Sequence, residues 1–272
     1  MRAPIAAAVW AGADEAAWFA RETMRLSKVQ ALLCPRRCAT RLANTILEES
    51  GRETHVKEAM DRPDSGEQAA LLEFWSKAVK PGDIVAVCGS APQGTAAAIL
   101  RALFRIARER GTAAIVADTS GAALEIAAAA SLDGIKGNAA EIGLWLSLGA
   151  PLDLEIIGHR HALSEALAQK GAPKSIVVTL GKDGALLITP NSMLRAAPPS
   201  VEKSFVVTAT GCGDAATAGW MWAIRDGCAP KDTLRRVVAC GTAKLANADP
   251  GKLDRRNVSA FLPQVTVAGW PR

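Results

Sequence analysis

The stretch Val206-Val207-Thr208-Ala209-Thr210-Gly211-Cys212-Gly213-Asp214-Ala215 decides how this chain is read. It leads from a short extended run, Phe205–Val207, into an Ala-rich helix expected over Ala215–Asp226. Two glycines with few side chains around them let backbone N–H groups converge at a helix N-terminus, where the dipole favours an anion. Asp214 then lies against that anion, which is electrostatically poor unless the carboxylate works as a base toward a hydroxyl. A capping Asp is the alternative, and the turn by itself leaves the two open.

Outward from this turn, apolar β-branched runs alternate with Ala/Leu/Arg segments of helical period, the pattern of βαβ units and a mainly parallel sheet. Strands are expected at Ile5–Trp10, Val29–Cys34, Asp83–Cys88 and Ala113–Ala117, with a short one ending at Lys136. Helices are expected at Asp14–Leu26, Glu67–Val79, Thr95–Arg110, Ala122–Ala130 and Lys231–Asn247, with a further helical stretch ending near Lys170. Ile5–Trp10 reads as a buried strand. The runs Thr40–Glu49 and Glu53–Glu58 flank Ser50-Gly51-Arg52, a hairpin signal that breaks the βα rhythm and predicts a flap over about 40–58. Ser175–Leu180 and Ala185–Thr189, separated by Gly181-Lys182-Asp183-Gly184, predict an antiparallel edge hairpin. Strands of open α/β sheets bind ligands at their carboxyl ends, so the turns Gly89-Ser90, Asp118–Gly121 and Gly137-Asn138 are candidate site positions.

The chain has 272 residues, 49% hydrophobic but only 4% aromatic, so its core is aliphatic and Ala-rich. One domain of this length is expected. A formal charge of +5 is spread among nearly equal acids and bases, which argues against a nucleic-acid surface. Arg36, Arg37 and Arg41 form a local exception, readable either as an anion site or as a solvated basic face. Cys34, Cys38, Cys88, Cys212, Cys228 and Cys240 show no paired metal spacing, so a reduced cytoplasmic protein is expected rather than a zinc site. No apolar run is long and charge-free enough to span a bilayer, and no membrane partner is expected. A Rossmann dehydrogenase is disfavoured because no Gly-x-Gly-x-x-Gly follows the first strand.

Several motifs together carry a resemblance. Val206–Ala218 resembles the second signature of the PfkB, or ribokinase-like, carbohydrate kinases. Val177-Val-Thr-Leu-Gly-Lys-Asp-Gly-Ala185 is similar to that family's nucleotide-binding strand and turn, and Ile135-Lys-Gly-Asn-Ala-Ala-Glu141 matches its Asn-x-x-Glu element. Gly89-Ser-Ala-Pro-Gln-Gly94, with Asp118-Thr-Ser-Gly121, resembles the 1-phosphofructokinase and tagatose-6-phosphate kinase branch.

The resemblance implies a ribokinase-like three-layer α/β sandwich with a mainly parallel sheet, and an ATP- and Mg²⁺-dependent kinase of a sugar phosphate. Fructose 1-phosphate, fructose 6-phosphate and tagatose 6-phosphate are the implied substrates. Asp214 is the implied base, and Gly211, Cys212 and Gly213 hold the transferring phosphoryl group. Thr179, Gly181, Gly184 and Asn247 are implied at the nucleotide, Asn138 and Glu141 at magnesium, and Arg41 and Ser90 at the sugar phosphate. An N-cap Asn with a surface Glu is the alternative for the magnesium pair. The family's usual opening strand with a substrate-binding Asp, and the Gly-Gly-Lys-Gly-type turn after it, have no counterpart here. Lys136-Gly137-Asn138 replaces the common Lys-Pro-Asn. One N-terminally shortened domain over 1–272 is therefore expected, lacking about a fifth of the usual length. Such a chain exposes a sheet edge, which favours pairing with a partner, a homodimer included. A nucleotide-binding pseudokinase without sugar turnover is the alternative function.

Overall fold

The computed structural model describes residues 4–270 apart from 13–14, 16–17, 19, 23–28, 49, 51, 60, 92–95 and 250. The chain divides into two compact units, one of Met1–Asn44, His55–Asp83 and Ala91–Ala113, the other of Thr45–Thr54, Ile84–Ser90 and Ala114–Arg272.

In the first unit, β1 (Ile5–Gly12) and β2 (Val29–Arg36) pair in parallel, from Ile5 opposite Val29 to Gly12 opposite Arg36. The reading of β1 as a buried strand holds only at its end: Ile5 is exposed, and burial is reached at Ala11. The helix expected over Asp14–Leu26 lies largely outside the described residues. The helix Ser65–Ala78 starts at a capping box in which the Asp64 side chain accepts from the Glu67 N–H and Glu67 accepts from the Asp64 N–H. Arg36 and Arg37 attach to this helix start. Arg36 donates to the Asp61 carbonyl at 2.9 Å, and Arg37 pairs with Asp64 at 3.5 Å. The basic cluster is thus divided, and two of its three members serve a helix terminus. The Trp75 indole donates to the Leu103 carbonyl of the helix Ala96–Glu109 at 3.0 Å.

β3 (Ala43–Leu47) and β4 (Glu53–Lys57) form a two-stranded sheet of their own, as the hairpin signal predicts.

The second unit is built on β5 (Ile84–Cys88), β6 (Ala114–Asp118), β7 (Gly134–Asn138), β8 (Ile176–Thr179), β9 (Ala185–Thr189), β10 (Ser192–Ala197) and β11 (Thr266–Gly269). They lie in the spatial order β11-β10-β9-β8-β7-β6-β5, parallel from β5 to β8 and antiparallel from β8 to β11. The hairpin β8–β9 forms as expected but is not the edge, because β10 and β11 extend the sheet past it. β10, Ser-Met-Leu-Arg-Ala-Ala, has no β-branched residue, and β11 is four residues after a helix and a Pro-containing turn, so neither carries a clear strand signal.

Val116, Val177, Leu187, Trp220, Leu234 and Val238 share one buried cluster, which joins the sheet to the helices Cys212–Arg225 and Pro230–Lys244. Two glycines set these approaches. A Cβ at Gly134 would collide with the Trp220 ring, and one at Gly219 would run into the Arg236 carbonyl. Among the described residues, no helix is long and apolar enough to cross a membrane.

Candidate active site

Gly211 takes φ 83, a left-handed value open to glycine at little cost, and serves as N-cap of the helix Cys212–Arg225. Residues 212–214 are therefore the first helical turn, three residues ahead of the helix start expected from sequence. Gly213 has poor helix propensity, which hid this. Phe205–Val207, expected as extended, instead follows a 3-10 turn at Lys203–Phe205. No side chain caps the helix. The Cys212 N–H closes onto the Ala209 carbonyl at 3.1 Å, so Gly211 and Gly213 are the members of the predicted trio whose amides remain for a ligand. Gly213 and Asp214 are exposed at the mouth of this turn.

Beneath it lies a polar network that parallel strand register assembles. Cys88 and Asp118 end β5 and β6, while Lys136, where the strand was expected to end, lies in the middle of β7; Cys88 stands opposite Asp118 and Asp118 opposite Lys136. Lys136 is 4% exposed, and its ammonium donates to both Asp118 oxygens at 2.8 Å. The Thr217 hydroxyl is shared between Asp118 Oδ2 and the Gly213 carbonyl, the latter at 3.1 Å. A Cβ on Gly213 would sit 3.6 Å from Lys136 Nζ, so the cation lies directly against the glycine turn. Desolvation, and after it the Asp118 and Asp214 carboxylates, push the Cys88 thiol up to about 11 against the opposing pull of Lys136. Sequence reasoning missed Lys136 and Thr217; a Lys inside a buried strand next to one that closes in Asp is the signal that was available.

The next strand ends hold the other predicted residues. Asn138 stands opposite Thr179 in the β7–β8 register. Asn138 and Glu141 form a capping box for the helix Ala139–Trp145: Asn138 Oδ1 accepts from the Glu141 N–H at 2.9 Å, and Glu141 Oε2 accepts from the Asn138 N–H at 2.8 Å. Asn138, Thr179 and Gly181 line one cleft of about 750 Å³, together with Asp153, Arg195 and Trp270. Arg195 stacks its guanidinium over the Trp270 ring at 5.2 Å. Gly184, at φ 91, is required by packing, since a Cβ there would collide with the Ala196 carbonyl.

Ser90 is exposed just past Gly89, whose N–H donates to the Asp118 carbonyl at 2.9 Å. Asn247 is tied through its backbone, its carbonyl accepting from the buried Lys244 ammonium at 2.6 Å. Arg41 belongs to the first unit and is half-buried. Glu53, the first residue of β4, was not singled out from sequence. Its carboxylate accepts from the Thr208 hydroxyl at 2.9 Å, the Ala209 N–H at 2.7 Å and the Thr210 hydroxyl at 3.3 Å.

An α/β sheet with an uncapped glycine turn and an acid at its strand ends defines a ribokinase-like protein. The chain belongs to the pfkB family of carbohydrate kinases, whose family model its residues 3–252 match. It is 33% identical over 204 residues to a 1-phosphofructokinase of Rhodobacter capsulatus, covering 75% of this chain and 60% of that relative. The chain therefore spans less than two thirds of that relative's length. In fold it is similar to Escherichia coli phosphofructokinase-2 solved in complex with fructose-6-phosphate, with a TM-score of 0.80 at 21% identity over 96% of this chain and 82% of that one. The tetrameric inhibited form of the same E. coli protein matches with a TM-score of 0.81 at 20% identity, over 96% of this chain and 82% of that one.

Proposed function

We propose that this chain transfers the γ-phosphoryl group of ATP to a hydroxyl of a sugar phosphate of the fructose or tagatose type. The observation that carries the reading is the uncapped Gly211 turn, with Asp214 at its mouth and the Lys136 ammonium beneath it. Phosphoryl transfer asks for charge neutralisation and in-line positioning more than for covalent chemistry. The Gly211 and Gly213 amides and the helix dipole offer the first, directed at the oxygens of the group in flight. Asp214 takes the proton from the acceptor hydroxyl as its oxygen attacks phosphorus. Lys136 adds fixed positive charge close by, while Asp118 and Thr217 hold it in place.

The cleft at Thr179 and Gly181 is the proposed nucleotide position, with Gly184 shaping its turn and Asn247 bordering the base. Asn138 and Glu141 suit a magnesium ion or its waters through oxygen, because the cap leaves Glu141 Oε1 unused and one lone pair on Asn138 Oδ1, and a hard cation prefers such donors. When bound, magnesium neutralises phosphate charge; no group of three or more His, Cys, Asp or Glu among the described residues forms a closed metal cage. Ser90 and Arg41 are the proposed contacts to the sugar phosphate, with both units read as one kinase domain and the hairpin as its flap. Self-association belongs to this reading: Leu42, Ile46, Leu47 and Val56 leave an apolar hairpin exposed for a second copy.

The test couples ADP release to a readout with fructose 1-phosphate, fructose 6-phosphate and tagatose 6-phosphate, alongside calorimetric titration with Mg-ATP. Turnover of one sugar phosphate is expected. Nucleotide binding without turnover of any points to a pseudokinase, and no binding at millimolar nucleotide removes both readings.

A further inference from the structure

We propose that Glu53 is a positioning residue for the phosphoryl-transfer turn: by gripping Thr208, Ala209 and Thr210 it fixes the backbone entering Gly211 and so sets where the turn's amides point. The inference rests on the kinase reading above and adds a residue to it. The contact is not local, since Glu53 and Thr208 are 155 residues apart in sequence. Three donors of consecutive residues converge on one carboxylate, and charge-assisted bonds of this kind are the strong ones. Thr208 is 2% exposed, and its hydroxyl also accepts from the Thr210 N–H at 3.0 Å, so the three residues form one closed knot. From the other side, the Val207 N–H donates to the Leu245 carbonyl at 2.8 Å. Residues 207–210 are therefore fixed at both ends, and Gly211 is the pivot that follows.

A carboxylate next to an anion-binding turn is unfavourable unless its charge is taken up. Here the three donors take it up. The Lys244 ammonium is 1% exposed and donates to the Asn247 carbonyl. Burial raises the Cys212 thiol to about 11, and Lys244 and Glu53 then act on it in opposite senses. Because Glu53 opens β4, the start of that strand is tied to the turn through this carboxylate.

The experiment is amide hydrogen exchange together with steady-state kinetics on the whole chain and on Glu53→Gln, which keeps the side chain's length but removes its charge. Exchange at Ala209, Thr210 and Cys212, whose amides are bonded within this knot, is expected to speed up about tenfold while Val177 and Leu187 in the sheet stay protected. The kcat is expected to fall about 10–100-fold with the KM for ATP within about threefold, as loss of positioning predicts. Glu53→Asp is expected to recover part of kcat. Thr208→Val removes a donor from the opposite side; it should act in the same direction and combine with Glu53→Gln less than additively, which keeps the test open if one variant folds poorly. Unchanged exchange at Ala209 overturns the proposal, and so does faster exchange with kcat intact. A parent chain without sugar-phosphate turnover sinks the kinase reading instead, and the exchange data then decide the Glu53 grip alone.

Discussion

Two helices of the larger unit begin beside predicted site residues, and they begin differently. Every helix leaves its first N–H groups without an internal partner. At Ala139–Trp145 the chain answers this itself, with Asn138 and Glu141 capping each other. At Cys212–Arg225 it does not: Gly211 supplies a left-handed N-cap with no side chain, and a buried Lys136 stands behind the turn. One terminus is closed by its own sequence, and the other has no side-chain cap. A capping box near a strand end signals helix stability first, whereas an uncapped glycine turn over a buried cation signals a ligand.

Asp214→Asn strains the comparison most. The shape of the open terminus stays while the proposed base is lost, so kcat is expected to fall about 10²–10⁴-fold with ATP binding retained. Steady-state kinetics on any accepted sugar phosphate, with titration calorimetry for the nucleotide, checks both halves; equal turnover would remove Asp214 from the mechanism.

Lys136→Met tests the cation behind the turn. Asp118 is then left without its ammonium partner, and breaking a pair with side chains 5% and 16% exposed is expected to lower unfolding free energy by about 3–5 kcal/mol. Adding Asp118→Leu should restore much of that stability in urea melts without restoring turnover. Recovery of both would show that the network serves packing alone.

The two termini were not equally legible. Gly211–Asp214 could be read because left-handed backbone freedom is encoded in residue type, one position at a time. Asn138 and Glu141 were legible as a spacing, but a capping box and a metal pair need the same spacing, so sequence left the choice open. Lys136 with Asp118 depends on the parallel register of β6 and β7, which no local pattern fixes. Glu53 with Thr208 joins a hairpin to a loop far along the chain. Strand and helix periods located most elements, whereas β10 was lost because it has no β-branched residue and β11 because four residues are too few to show a period.

Gly211→Ala addresses the pivot itself. At φ 83 a Cβ costs about 1–2 kcal/mol, which thermal melts should register as a lower Tm. Gly211→Asn should be milder, because Asn tolerates this region. If Ala and Asn behave alike, the left-handed conformation is not what limits the position.

The smallest expected effect separates the two roles of the closed terminus. Asn138→Ala removes the cap, and about 1 kcal/mol of stability should go with it, whatever Asn138 does for a nucleotide. That variant cannot tell a cap from a metal ligand. Glu141→Gln can, because Gln at the third helical position still reaches back to the N-cap N–H and keeps the capping box. What it loses is the negative charge that would hold magnesium or its waters. Stability should therefore stay within a few tenths of a kcal/mol of the parent, while the magnesium concentration for half-maximal turnover rises about tenfold, the scale of losing an outer-sphere partner. A magnesium titration at saturating ATP, beside a urea melt of the same protein, reads both quantities. A loss of stability with unchanged magnesium dependence would assign Glu141 to the helix alone and leave the nucleotide's metal to be held from the Gly211 side of the site.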